Sequence, residues 1–148
     1  MKALFFRFGF TLVELMVVIS IMALLFGVGL AKYNQFNQSR KIIEAAKILR
    51  SDLTFARSKA LAGDKSGACT GILEGWYIKT YTQSYDLGYR CGGVASTVRT
   101  VNLSPVTVSS AEVLFRPSTL GASSSVTFTL SYNSYQEIVA VSTSGAIN

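Results

Sequence analysis

The strongest constraint on this chain is an apolar run over residues 10–30, broken only by Thr11, Glu14 and Ser20 among polar side chains. As a helix, such a run is long enough to cross a hydrocarbon layer of about 30 Å. Residues 1–9 precede it, with Lys2 and Arg7 as their only charges. Positive residues ahead of an apolar span hold the N-terminus in the cytoplasm and send the C-terminal part across the membrane. A cleaved secretory signal starts similarly, but its apolar core is shorter and closes on an A-x-A-like site. Here Leu30-Ala31-Lys32-Tyr33 runs straight into more helical sequence.

Glu14 is the odd residue in that span. A carboxylate at the centre of a membrane helix costs about 2.5–3.5 kcal/mol on insertion scales, and less near the edge. The residue alone allows two readings. Either Glu14 sits close enough to the headgroups to be tolerated, or it pairs with a positive group on a neighbouring subunit.

The surrounding string, Gly9-Phe10-Thr11-Leu12-Val13-Glu14-Leu15, resembles the prepilin signature of type IV pilins and type II secretion pseudopilins. The resemblance implies that a prepilin peptidase cuts after Gly9 and methylates the new N-terminal residue, Phe10. It also implies that Glu14, fifth after the cut, pairs with the freed amine of an adjacent subunit during assembly. An ammonium and a carboxylate in low dielectric attract when paired and are costly when left alone. The implied partners are other pilin subunits, the peptidase and the inner membrane, with no cofactor.

The helix is expected to continue past the span. Residues 31–62 hold no Pro and no Gly. Apolar residues at Phe36, Ile43, Ala46, Leu49, Leu53, Ala56 and Ala60 trace one face, and Gly63 comes next as a stop. A continuous helix over residues 10–62 would be about 80 Å long. Gly27 and Gly29 are its weak point, since each Gly costs about 1 kcal/mol relative to Ala. They serve either close helix packing or, as in some filaments of the family, local unwinding on assembly; unwinding is the expectation. The implied division is a leader at 1–9, a transmembrane half at 10–30, an amphipathic half at 31–62 and a β-rich head at 63–148.

After Gly63 the sequence turns to short Tyr-, Thr- and Val-rich runs broken by Gly, Ser and Asn. Strands are predicted at 75–82, 85–90, 98–103, 113–116, 126–132 and 137–142, with turns at Gln83-Ser84 and Asn133-Ser134. The expected fold is α+β, an antiparallel sheet wrapped on the apolar face of the long helix. Cys69 and Cys91 bracket the first hairpin. In an exported head they are expected as a disulfide worth about 3 kcal/mol, the alternative being two buried thiols.

A second pattern is more scattered. Arg57-Ser58-Lys59-Ala60, Phe115-Arg116-Pro117 with Gly121, Phe128-Thr129-Leu130, and Ile138-Val139-Ala140-Val141-Ser142 with Gly145 resemble the GspH/FimT group of minor pilins and pseudopilins. Some competence pilins of that type bind DNA through arginines after the closing Gly. Here Gly145 is followed by Ala146-Ile147-Asn148, which offers no phosphate contact. The net charge of +6 does not restore that function. Residues 31–62 carry a net +5, and residues 63–148 balance five Lys/Arg against five Asp/Glu.

The chain contains no His, and no metal-ligand cluster, phosphate loop or paired-carboxylate site organises its polar residues. The expectation is therefore a structural subunit, a minor pilin of a type IV pilus, not an enzyme. A type II secretion pseudopilin is the alternative, and a DNA-binding competence pilin ranks below both. Before assembly it would sit in the inner membrane as a single-pass protein, head outward.

Overall fold

The computed structural model describes residues 9–65, 67, 69–117 and 121–148. The leader residues 1–8 lie outside that range. The chain divides into two compact units, Met1–Asn37 and Gln38–Asn148.

One helix, α1 (Leu12–Leu61), contributes to both units. In the first unit its side chains from Leu12 to Phe26 are exposed, apolar ones included, and the helix is long and apolar enough to cross a membrane. In the second unit it carries a buried stripe of Ile42, Ala45, Ala46, Leu49, Leu53, Ala56 and Ala60. That stripe differs from the expected one at its N-terminal end, because Ile43 and Phe36 are exposed. A step of one residue turns a helix by about 100°, so Ile42, and not Ile43, continues the face set by Ala46 and Leu49. The helix stops where Gly63 predicts. Gly63 has φ 61°, its N–H donates to the Ala60 carbonyl and the Asp64 N–H to the Lys59 carbonyl, each at 3.0 Å. This pair of bonds is a Schellman cap.

Seven strands come after it: β1 (Leu73–Thr80), β2 (Ser84–Cys91), β3 (Val94–Asn102), β4 (Thr107–Val108), β5 (Glu112–Phe115), β6 (Val126–Tyr132) and β7 (Tyr135–Val141). The α+β class is as expected, but the strands form two antiparallel sheets instead of one, with orders β3-β2-β1-β5 and β4-β6-β7. The chain leaves the first sheet after β3, gives two residues to β6, then returns as β5 to the free side of β1. A two-residue strand has no alternation to read, so this exchange left no trace in the pattern.

Register explains the other boundaries. Cys91 pairs with Val94 across Gly92 and Gly93, both at positive φ (58° and 82°), so β3 starts earlier than predicted. Two left-handed residues are what a type I′ hairpin requires. The Asn133-Ser134 turn joins β6 to β7 as expected, with Asn133 at φ 52° and Tyr132 paired to Tyr135.

The helix stripe and both sheets close on one core, which includes Trp76, Ile78, Tyr85, Leu87, Val113, Phe115, Phe128, Leu130 and Val139. Trp76 is its corner: its ring meets Phe55 edge-on at 6.1 Å and Tyr89 at 5.8 Å, and its indole N–H donates to the Asp64 carbonyl at 3.0 Å.

Candidate functional site

The residues singled out at the N-terminal end of the apolar run meet in the first turn of α1. Thr11 precedes the helix, and its Oγ1 accepts the Glu14 N–H at 3.2 Å while its carbonyl accepts the Leu15 N–H at 3.2 Å. Thr11 is therefore the N-cap, satisfying a donor that the helix itself leaves open. Glu14 stands three residues on, where a carboxylate favours the positive end of the helix dipole by roughly 0.3–1 kcal/mol. Sequence reasoning missed this local role, although the T-x-x-E spacing was the signal for it. The cap also starts the helix at Leu12, two residues later than predicted.

Phe10 and Glu14 are both exposed among the described residues, Phe10 at 81%. Glu14 makes no ion pair among the described residues. Gly9 and Phe10 lie outside the helix, ahead of the cap.

Gly27 and Gly29 both fall inside α1, and a Cβ added at Gly27 would meet nothing within 4 Å. Cys69 and Cys91 are joined in a disulfide with Cα atoms 5.8 Å apart. It ties the segment before β1 to the end of β2, next to the Leu73–Cys91 pair. Among the described residues, no group of His, Cys, Asp and Glu is placed to hold a metal ion.

One polar cluster in the second unit escaped sequence reasoning altogether. Asp52 lies on the buried side of α1, accepting hydrogen bonds from the Tyr85 hydroxyl and from Arg99 of β3. Burial, and then the hydrogen bond to Asp52, push the Tyr85 phenol well above its ordinary range. The cluster clamps helix to sheet. Its only sequence signal was an acid in step with Leu49, Leu53 and Ala56. The C-terminal tail is also structural: Ala140 and Asn148 exchange backbone hydrogen bonds at 3.1 and 2.9 Å.

Comparison with known proteins bears on the N-terminal segment. Residues 6–30 match the family model described as "Prokaryotic N-terminal methylation motif". No curated protein and no solved structure matches the chain. The matched segment holds Gly9, Phe10, Thr11 and Glu14 together with the whole of the apolar run over residues 10–30. Joined to an exposed membrane-length helix and a β-rich unit, the motif supports a type IV pilin-like subunit, processed by a prepilin peptidase.

Proposed function

We propose that this chain is a minor pilin of a type IV pilus. It inserts with residues 1–9 in the cytoplasm, is cut after Gly9 and methylated at Phe10, and enters a filament through its N-terminal helix. The observation that carries this reading is Glu14, an acid with no ion pair among the described residues, in the first turn of an exposed apolar helix inside the methylation motif.

The chemistry supports an intermolecular pairing. Cleavage after Gly9 would create an ammonium one residue ahead of the Thr11 cap, at the positive end of its own helix dipole. That end disfavours a cation and favours an anion. The amine is thus better placed against the Glu14 carboxylate of a neighbour than beside its own helix terminus. In an apolar filament core the pair is far better than either charge alone. Repetition of this head-to-tail contact propagates a helical assembly. Gly27 and Gly29 serve as the place where the helix unwinds as it enters the filament. The assignment as a minor pilin rests on the positional likeness of the head to GspH/FimT subunits.

Glu14→Ala tests the reading. Membrane insertion and leader removal should remain intact, while the amount of subunit in sheared filaments falls at least about tenfold, the effect of one lost buried ion pair. Immunoblots of membrane and filament fractions measure both. Normal incorporation of the variant would overturn the proposal.

A further inference from the structure

The start of α1 decides how the chain presents the bond between Gly9 and Phe10. The helix begins at Leu12, and its first backbone bond among the described residues runs from the Leu15 N–H to the Thr11 carbonyl at 3.2 Å. The Thr11 hydroxyl accepts the N–H one residue earlier, that of Glu14, also at 3.2 Å. Thr11 is thus the first residue whose carbonyl enters the helix. Gly9 and Phe10 stay outside it, and Phe10 is exposed.

The sequence offers a second place to start. Glycine ranks beside threonine as an N-cap, and Gly9 stands two residues earlier. A helix capped at Gly9 would draw the Gly9 carbonyl into a bond with the Val13 N–H, because the carbonyl of the cap accepts the first intrahelical bond. Phe10 would then be the first helical residue. What separates the two starts is the side chain of Thr11. Gly9 has no side-chain acceptor, whereas Thr11 offers one to the Glu14 N–H, and Glu14 completes the T-x-x-E spacing. Phe10 and Leu15, on either side of the cap, also hold the spacing of a hydrophobic staple.

The choice matters to a peptidase. Hydrolysis breaks the bond between the Gly9 carbonyl carbon and the Phe10 nitrogen. Water supplies a hydroxyl to the Gly9 carbon and a proton to the Phe10 amine. The enzyme must reach that carbonyl and stabilise the negative charge that develops on its oxygen. A carbonyl already accepting the first bond of a helix, with Phe10 wound into the first turn, is closed to both. A helix that starts at Leu12 leaves the bond accessible.

We propose that Thr11 is a positioning residue for leader removal: its side-chain cap sets the helix start two residues past the Gly9–Phe10 bond and keeps that bond outside the helix. The role rests on the cut after Gly9 proposed for the chain, which the motif match over residues 6–30 supports independently of the cap. Only chains with the later start are cut, so the observed rate scales with their fraction.

The test uses the full-length chain in cells, with leader removal followed by pulse-chase and the new N-terminus identified by mass spectrometry. Thr11→Val keeps the shape and removes the acceptor. Thr11→Ser and Thr11→Asn keep an acceptor on side chains of different shape. Thr11→Val should slow the cut at least about threefold, the scale of a lost cap, while Thr11→Ser and Thr11→Asn stay near the wild-type rate. Hydrogen exchange at the Val13 amide of the uncut chain in detergent micelles reports the helix start directly. It should slow at least about threefold in Thr11→Val, where the Gly9 carbonyl becomes its acceptor. Thr11→Val cut at the wild-type rate, Thr11→Asn as slow as Thr11→Val, or slow cutting with Val13 exchange unchanged would each overturn the proposal. The last two would mean that the peptidase reads the threonine side chain itself. A wild-type chain that keeps its leader would sink the processing reading and this role together, whereas rapid cutting of Thr11→Val sinks only the role of the cap.

Discussion

At the scale of single residues, the molecule places two acids in opposite situations. Glu14 has no cation within the described chain and sits where the helix dipole favours a negative charge. Asp52 is buried and satisfied by the Tyr85 hydroxyl and Arg99. The second arrangement has a pH signature. Tyr85 has a folded-state pKa above its unfolded value of about 10, through burial and then its bond to Asp52. A raised pKa contributes stability that is fully present below the unfolded pKa and is lost as pH rises beyond it. Urea midpoints of the detergent-solubilised protein should therefore be level between about pH 7 and 9 and fall above about pH 10. In Tyr85→Phe that alkaline fall should shrink, at the expense of a lower midpoint at neutral pH. An unchanged alkaline fall in the variant would show that Tyr85 is not its source.

At the scale of elements, the packing of β1, β2 and β3 depends on one glycine. A Cβ at Gly88 would lie 2.2 Å from the Ser96 carbonyl oxygen and 2.8 Å from the Tyr77 hydroxyl oxygen. The first of these is backbone and cannot swing aside. Gly88→Ala should cost about 2–3 kcal/mol, the usual scale of overpacking, and should loosen β3 from β2 before the rest of the sheet. Hydrogen exchange would show this as lost protection at residues 94–101 with β6 and β7 unchanged. Uniform loss across both sheets would mean that Gly88 guards global stability instead. The sequence is most legible for elements with a long period: α1 and its Gly63 stop can be read from it, as can β6 and its turn into β7. It is least legible where pairing alone defines the element. β4 exists because Thr107 and Val108 meet Ser131 and Leu130, and the early start of β3 depends on the Gly92-Gly93 turn.

At the scale of the whole molecule, the second unit is a small domain with one core, and such domains gain much from a covalent tie. The Cys69–Cys91 link spans a sequence separation of 22 residues. Closing a loop of that size contributes about 3 kcal/mol in the chain-entropy picture. The double variant Cys69→Ser, Cys91→Ser should lose about that much stability in denaturant titrations, with the core around Trp76 still formed below the transition by its near-UV signal. A loss under about 1 kcal/mol would show that the unfolded chain is already constrained there. The charge balance belongs to this scale as well. The basic excess lies along residues 31–62, and in the second unit Arg50, Lys59, Arg90 and Arg99 are held in ion pairs with acids.

The sequence by itself determined the features that depend on local pattern and on solvent. These are an apolar helix of membrane length, a misplaced acid three residues from its cap, a helix stop at Gly63 and a β-rich remainder. Each is set by which side chains water rejects and which backbone angles glycine permits. Tertiary structure decided the features that depend on distant partners: Ile42 in place of Ile43 at the start of the buried stripe, two sheets in place of one, and Asp52 clamped between Tyr85 and Arg99. Spacing along the chain does not encode where such partners come to rest.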